Sequence, residues 1–551
     1  MKRLARWTIQ TLRSAPRAPR RIVGAIRSVE PRRVMHGVAV ARAVLAHYWR
    51  GLIRLCVVAL GFALFAAAEY YLGRGIIRWE WSWFLIMMSA VTVVAAIIAI
   101  RATVLMLAIW LVLVPWTWDF PIRSAKYYLS FDLLALTLVF LVVVAKALAQ
   151  RRTLRGLYTW EWLLFLSVAY INIWPILDTW IERGRFGFTI FGEFWQLLLV
   201  PTLVYFIVKA TLETRRHITL LLYALVVVGL VWTLSGFYEH FTGYQWHSAL
   251  TGAKAPLVWR DVGKGRALGA SSGQALPGAV LSVGVVALLH LAGFARKTAV
   301  RRLCYLAVGS MVAAIFFTYT RVSYGGFAVA MVALFLIGRG RRAQYGLLIA
   351  VLGVVALVMA PGLLSKSDFY ERMTNPANYY GRMAMSRTAL NIIRDHFWFG
   401  AGPLSDQTLL ARYVSSRAHP VMRGRLYAFP DNDYLVVFAQ HGVFGFLFYY
   451  GAIFGFVILM FRIRNDLSSD DIPGMNLAST AIAYTAVVFV ASVATALRSQ
   501  PYVYYLLFSM FAMVVRSKQL RDEEKALSQR AAEADRSTPP YERQLVVGGL
   551  A

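Results

Sequence analysis

Long apolar runs separated by short polar connections dominate the chain from about residue 55 onward. Most of these runs approach the roughly 20 residues that an α-helix needs to cross a bilayer. The pattern predicts an all-α polytopic membrane protein with about fourteen transmembrane helices, two of them (104–118 and 502–515) short enough to be re-entrant or differently tilted. The predicted spans are 55–73, 83–100, 104–118, 129–148, 162–180, 194–210, 220–237, 276–294, 303–319, 322–337, 345–364, 434–461, 477–497 and 502–515.

Composition agrees with this class. Hydrophobic residues make up 59% and charged residues 15% of the 551 positions, whereas soluble domains carry about a quarter charged residues, so a water-soluble enzyme is not expected. The net charge of +31 does not indicate nucleic acid, because the basic residues lie between apolar runs. The two cysteines, Cys56 and Cys304, lie in apolar runs and indicate neither a disulfide framework nor a metal cluster.

Basic residues in the short connections predict the orientation, because such connections stay cytoplasmic. Both termini are then cytoplasmic: a basic arm at 1–54 and a tail at 516–551. The apolar run that follows the arm, from Leu55 onward, is expected to be a signal anchor. The membrane domain between them, 55–515, has two long external loops, at about 238–273 and 365–433. The second loop carries nine Lys/Arg against six Asp/Glu, a surplus that an anionic ligand on the outer face would explain. The cytoplasmic basic groups are Arg151/Arg152/Arg155, Arg215/Arg216, Arg296/Lys297/Arg301/Arg302, Arg339/Arg341/Arg342 and Arg462/Arg464.

Arg321 lies in the brief outer connection between two apolar spans and precedes Gly325 and Gly326. An arginine at such a position is costly unless it is paired or faces a cavity, so Arg321 is a functional candidate. A snorkelling arginine at the membrane interface is the alternative interpretation.

The second outer loop contains a predicted amphipathic helix that lies along the membrane surface. Its apolar positions are Ala389, Ile392, Ile393 and Phe397. We expect Gly381-Arg382 to begin the helix and Gly400-Ala401-Gly402-Pro403 to end it. Arg387 and Arg394 could equally be charges on a solvated face.

A third element, Asp431-Asn432-Asp433-Tyr434-Leu435, directly precedes a predicted span and is followed by Gly442 to Gly445. Carboxylates at the mouth of an outer cavity could accept a proton from an attacking hydroxyl. A helix cap is the alternative, because Asp and Asn favour helix starts, and the two roles are compatible. The Asp-x-Asp spacing alone is a weak metal signal, so metal-free chemistry is expected.

The fourth element, Arg260-Asp261 with Gly265-Arg266-Ala267-Leu268-Gly269, precedes the predicted span 276–294. A binding loop and an ordinary loop with a turn glycine are equally compatible with it.

In this order, the four elements resemble the O-antigen ligase and O-antigen polymerase superfamily of bacterial inner-membrane glycosyltransferases, over roughly residues 230–460. The family's arginine before a Gly-containing segment matches Arg266, and its arginine at an outer span junction matches Arg321. Its Gly-Arg helix start matches Gly381-Arg382. Its His-Asn-x-Tyr-Leu element matches 431–435, with Asp431 in place of histidine, which looks more like the capsule and exopolysaccharide polymerases of the superfamily.

The resemblance implies a donor glycan carried on undecaprenyl diphosphate. Arg266, Arg321 and Arg382 would hold the diphosphate, and Asp431 would activate the acceptor hydroxyl, without a cofactor or metal. The expected partners are membrane lipids together with flippase and chain-length regulator proteins, and not nucleic acid. Further substrate-binding candidates are Arg260, Asn432, Tyr434 and Arg387.

The favoured function is a polymerase of lipid-linked repeat units at the outer face of the inner membrane. A ligase that moves finished glycan to lipid A-core is the alternative within the family. A lipid-linked oligosaccharide flippase is the alternative of another class, although transporters usually show paired repeats and broken helices near the membrane midplane.

Overall fold

Helices form the framework of the described part of the chain. The computed structural model describes residues 98, 102–117, 136–137, 139–145, 157–183, 198–244, 246, 277–318, 320–338, 345–346, 376–402, 412–413, 432–467, 472–495, 497 and 501–537. All of them belong to the second of two units into which the chain divides, Met1–Ile77 and Arg78–Ala551. The helices are α1 (Thr103–Thr117), α2 (Thr159–Arg183), α3 (Val200–Thr211), α4 (Arg215–Thr242), α5 (Pro277–Ala292), α6 (Thr298–Phe317), α7 (Arg321–Ile337), α8 (Pro376–Asp395), α9 (Asp433–Asp466), α10 (Ile472–Ala494) and α11 (Tyr502–Ser537).

The described helices support the membrane class. By length and composition, α4, α6, α9 and the segment Asn476–Val493 of α10 are each long and apolar enough to cross a membrane. Shorter apolar helices in α1, α3, α5 and α7 accompany them. The predicted number of about fourteen spans remains a prediction.

Helix α11 forms the centre of the bundle. Every residue from Tyr502 to Arg516 is buried. The ring of Tyr502 contacts Trp232 of α4, and Phe511 stacks on Phe456 of α9 with centroids 5.0 Å apart. A helix that is apolar on all sides is stable when protein surrounds it. The short predicted span at 502–515 is the part of α11 that is buried in this way. The helix is continuous to Ser537, so it includes the first part of the predicted tail.

Glycines allow the central helices to pack closely. A Cβ on Gly284 of α5 would lie 2.8 Å from the Cα of Gly229 on α4. At the start of α5, a Cβ on Gly278 would overlap Ser323 of α7. Small residues at such crossings let two backbones approach, which is how helices associate in membranes.

Several basic residues predicted to share one face of the membrane lie at one end of the bundle. Arg464, near the end of α9, donates two hydrogen bonds to the carbonyl of Ile337 at the end of α7, at 3.1 and 2.5 Å. Arg516 donates to the carbonyl of Leu212, in the connection that precedes Arg215, at 2.7 Å. We call this the basic end; which side of the membrane it faces stays a prediction.

A buried ionic cluster joins α2 and α3. Glu161 and Lys209 are buried, with Nζ to Oε1 at 2.5 Å, and the hydroxyl of Tyr205 donates to the same oxygen at 2.5 Å. The other oxygen of Glu161 accepts from the N–H of Tyr158 at 2.7 Å. Burial, followed by the charges of Asp522, Glu161 and Asp466, raises the pKa of Tyr158. Those two aspartates belong to α11 and α9, so this cluster also lies at the basic end.

Candidate functional site

Helix α9 is broken at Gly442 and folds back on itself. Gly442 has φ +65° and ψ −170°, so it separates a short arm, residues 433–441, from a long arm, residues 443–466. Tyr434 and Tyr450 lie eight residues before and after this glycine, yet their rings stack with centroids 4.6 Å apart. In a straight helix their Cα atoms would be about 24 Å apart, because each residue adds about 1.5 Å. The arms therefore form a helical hairpin.

This hairpin corrects one sequence-based prediction. A single continuous span was expected at 434–461, but its first eight residues belong to the short arm. Only the long arm continues to the basic end. Apolar composition could not reveal this, because both arms are apolar and the reversal depends on the backbone conformation of one residue.

The turn after α8 bonds the backbone groups that the break would leave open. The N–H groups of Ala401 and Gly402 donate to the carbonyls of Ala439 and Gln440 at 2.8 and 3.1 Å. In an unbroken helix these carbonyls would accept from residues four positions further on. An unbonded backbone group away from water is costly, so the turn makes the break tolerable.

Glycine is required on both sides of this contact. The N–H of Val443 donates to the carbonyl of Phe397 at 2.8 Å, so the two backbones touch directly. A Cβ on Gly442 would overlap the backbone of Trp398, and a Cβ on Gly400, where φ is +81°, would overlap the short arm. Neither position accepts a side chain unless the backbone moves.

Asn432 and Asp433 start the short arm, and each has a local partner. Oδ1 of Asn432 accepts from the N–H of Leu435 at 3.1 Å, which confirms the helix-cap interpretation for this residue. Asp433 is fully buried, and its Oδ2 accepts from the hydroxyls of Tyr504 at 2.8 Å and Tyr450 at 3.4 Å. The expectation of a carboxylate at the mouth of an outer cavity is therefore wrong for Asp433, because the folded hairpin covers it.

Tyr434, a predicted substrate-binding residue, has packing contacts on both sides. Its ring stacks on Tyr450, and its hydroxyl donates to the carbonyl of Phe489 on α10 at 3.1 Å. These contacts fasten the short arm to α10. A substrate contact for Tyr434 stays a prediction.

Helix α8 has the apolar face that the sequence predicts. Ile392 and Ile393 are buried against Ala439 of the short arm. The helix already includes the residues from Pro376 onward, so it does not begin at Arg382, which corrects the predicted start. The helix ends at Asp395, before the predicted stop at Gly400.

Helix α8 meets the short arm near the C-terminal end of each element, at Ile393 and Ala439. Arg382 lies eleven residues before this contact on α8, and Asn432 lies seven residues before it on the short arm. Arg382 is exposed, and so is Arg387, in agreement with a solvated-face charge.

Arg321 is the first residue of α7 and is exposed, and α6 ends only four residues earlier. The brief connection that the sequence predicts is therefore present. Gly326 packs against Val487 of α10, and Tyr434 binds Phe489, two residues further along the same helix. The starts of α7 and of the short arm consequently meet the same part of α10.

Polar side chains also meet where α8 ends. Nε2 of His396 and the hydroxyl of Tyr413 are 3.2 Å apart. Burial, followed by a hydrogen bond to Asp395, raises the pKa of Tyr413. Sequence reasoning missed this group, because a single histidine and a distant tyrosine form no spacing signal.

Three predicted site residues, Asp431, Arg260 and Arg266, lie outside the described residues. Their roles stay predictions. The described residues contain no group of three or more His, Cys, Asp or Glu side chains that could hold a metal ion.

Comparison with known families covers these elements. Residues 306–450 match the family model described as O-antigen ligase. The matched segment extends from within α6 through α7 and α8 to Tyr450 on the long arm, so it includes Arg321, Arg382 and the whole short arm. No curated protein matches the chain. Over residues 306–450 the chain is similar to the O-antigen ligases, which confirms its resemblance to the O-antigen ligase and polymerase superfamily.

Proposed function

We propose that the protein is a polymerase that joins oligosaccharide repeat units carried on undecaprenyl diphosphate. The reaction would take place at the outer face of the bacterial inner membrane and would build O-antigen, capsule or exopolysaccharide. Flippase and chain-length regulator proteins would be its partners. Two observations support it: apolar helices long enough to cross a membrane and a segment similar to the O-antigen ligases occur in one chain.

The observation that carries the proposal is the convergence of the starts of α7 and the short arm on α10. Arg321 begins α7 and Asn432 caps the short arm, with Arg382 on the adjacent α8. Arginine stays charged and binds phosphate oxygens through two parallel hydrogen bonds. Two exposed arginines, one on α7 and one on α8, would suit a lipid diphosphate.

In the proposed mechanism, Arg321 and Arg382 hold the diphosphate of the donor, together with Arg266. The acceptor hydroxyl oxygen forms the new glycosidic bond as the bond from the donor sugar to its phosphate breaks. Asp431 takes the proton of that hydroxyl. The arginines stabilise the negative charge that develops on the departing lipid diphosphate.

A ligase that transfers finished glycan to lipid A-core is the second candidate, favoured by the match of residues 306–450 to the O-antigen ligase family. Polymerase is preferred because Asp431 stands where the family's ligases typically carry histidine.

Substitution of Arg321 tests the phosphate-binding role. Arg321→Ala is expected to lower the amount of polymer about 10²-fold or more, because an electrostatic contact to the leaving group is lost. Arg302→Ala is the matched control: an exposed arginine near the other end of the preceding helix, α6. Surface glycan would be compared on gels at equal amounts of membrane-inserted protein. Normal polymer in Arg321→Ala cells would overturn the proposal.

A deletion strain separates the alternatives. Loss of polymer with single repeats remaining indicates a polymerase. Full-length lipid-linked polymer that accumulates indicates a ligase. Accumulation of precursor on the cytoplasmic face indicates a flippase.

A further inference from the structure

We infer that Asp433 is a positioning residue that anchors the short arm of α9, and that it does not itself activate the acceptor. This inference rests on the proposed function, and it names the residue that holds the proposed acceptor site in place. The anchored element is the start of the short arm, where Asn432 forms the cap and Asp431 precedes it.

Burial separates Asp433 from any acceptor. A general base must come within about 2.6–3.2 Å of the hydroxyl that it deprotonates, directly or through one water. Asp433 is 0% exposed, and the hydroxyls of Tyr504 and Tyr450 occupy its Oδ2. An acceptor sugar could reach this carboxylate only if the hairpin opened.

The contacts of Asp433 connect three parts of the bundle. The residue itself begins the short arm, Tyr450 lies on the long arm, and Tyr504 lies in the first turn of the buried α11. The carboxylate also lies at a helix N-terminus, where negative charge is favourable. The side chain of Asp433 therefore joins the two arms at the end of the hairpin that lies opposite the turn at Gly442.

The backbone transmits this anchoring to the cap. Asn432 directly precedes Asp433, and its side chain closes the first turn through Leu435. A shift of the short arm would move Asn432, which directly follows Asp431 in the sequence. Loss of one hydrogen bond to a charged group lowers the equilibrium constant that favours the anchored arm over a displaced one about tenfold to hundredfold.

The test uses four variants: Asp433→Asn, Tyr504→Phe, the double variant that combines these two changes, and Asp431→Asn as the comparison. Membranes from a deletion strain that carries each full-length variant would be assayed for extension of their own lipid-linked glycan across a pH series. Tyr484→Phe is the matched control, because Tyr484 is equally buried and its hydroxyl has no hydrogen-bond partner among the described residues.

We expect Asp433→Asn, which keeps an oxygen acceptor, to retain measurable activity with an unchanged pH profile. Its activity should fall about tenfold to hundredfold, and Tyr504→Phe should add little in the double variant, because both changes weaken the same hydrogen bond from the Tyr504 hydroxyl to residue 433. Asp431→Asn should lose about 10²–10⁴-fold. A profile that loses its acidic limb in Asp433→Asn, with fully additive losses in the double variant, would make Asp433 the base and overturn the inference.

Anchoring can also be measured without glycan chemistry. Tyr504→Phe should lower the thermal unfolding midpoint of the purified full chain, and Tyr484→Phe should not. If Asp433→Asn fails to accumulate, Tyr450→Phe replaces it in the comparison of single and double variants with Tyr504→Phe. Equal midpoints for Tyr504→Phe and Tyr484→Phe would refute the anchor, whereas normal polymer in Arg321→Ala cells would refute the proposed function alone.

Discussion

Replacing Gly442 by alanine should destabilise the protein strongly, because this glycine makes the hairpin of α9 possible. Its φ of +65° and ψ of −170° lie in a region that is essentially restricted to glycine, where other residues incur about 1–3 kcal/mol of strain. The added Cβ would also overlap the backbone of Trp398, which has no rotamer to change. To relieve that overlap, the turn that follows α8 must move.

Movement of this turn would weaken three backbone hydrogen bonds, from Ala401, Gly402 and Val443. At about 0.5–1.5 kcal/mol each, these bonds and the strain together amount to about 3–7 kcal/mol for Gly442→Ala. Gly451→Ala is the matched control on the long arm, where among the described residues the new Cβ would meet one atom, 4.0 Å away on Leu163. Removing a glycine from a helix interior should stabilise the chain by about 0.5–1 kcal/mol.

The assay is thermal unfolding of the purified full-length variants in detergent, followed by size-exclusion chromatography. We expect a large decrease in the unfolding midpoint of Gly442→Ala, and an unchanged or higher midpoint for Gly451→Ala. Equal midpoints for the two variants would show that α9 is not folded back at Gly442, and the assignment of its short arm would have to be abandoned.

Two further predictions concern the basic end of the bundle. Lys209→Met should destabilise the chain by about 3–5 kcal/mol, because it leaves the buried carboxylate of Glu161 without its cation. Adding Glu161→Gln should recover part of that loss. Thermal unfolding midpoints of the single and double variants check both expectations. Arg516→Met should lower the midpoint more than Lys518→Met, because Arg516 is fully buried and its loss leaves the carbonyl of Leu212 without this hydrogen bond. Lys518→Met breaks a more exposed pair and should cost about 0–1 kcal/mol, and similar midpoints for these two variants would contradict the structural role of Arg516.

Features that depend on neighbouring positions along the chain could be predicted from the sequence. The apolar face of α8 at Ile392 and Ile393 follows from helical spacing. The cap at Asn432 follows from the short reach of its side chain to the backbone three residues on. The junction at Arg321 follows from two apolar runs with almost nothing between them.

Features that depend on distant parts of the chain could not be predicted. Glu161 lies just outside the predicted span 162–180, and no local pattern indicates its partner Lys209, because the two residues are 48 positions apart. The register of α8 beside the short arm depends on backbone bonds between residues 397–402 and 439–443. Apolar composition predicts burial of each segment, but hydrophobic burial is non-directional and does not specify the partner.

Asp433 shows most clearly which features follow from the sequence and which depend on the tertiary structure. The sequence by itself determined the helical membrane class, the order of the site elements and the presence of a polar cap before an apolar run. Only the tertiary structure decided that α9 reverses at Gly442, and that Asp433 is consequently covered by Tyr450 and Tyr504. The physical reason is that a single left-handed glycine is tolerated only where another backbone bonds the groups it frees, and that backbone comes from a distant part of the chain.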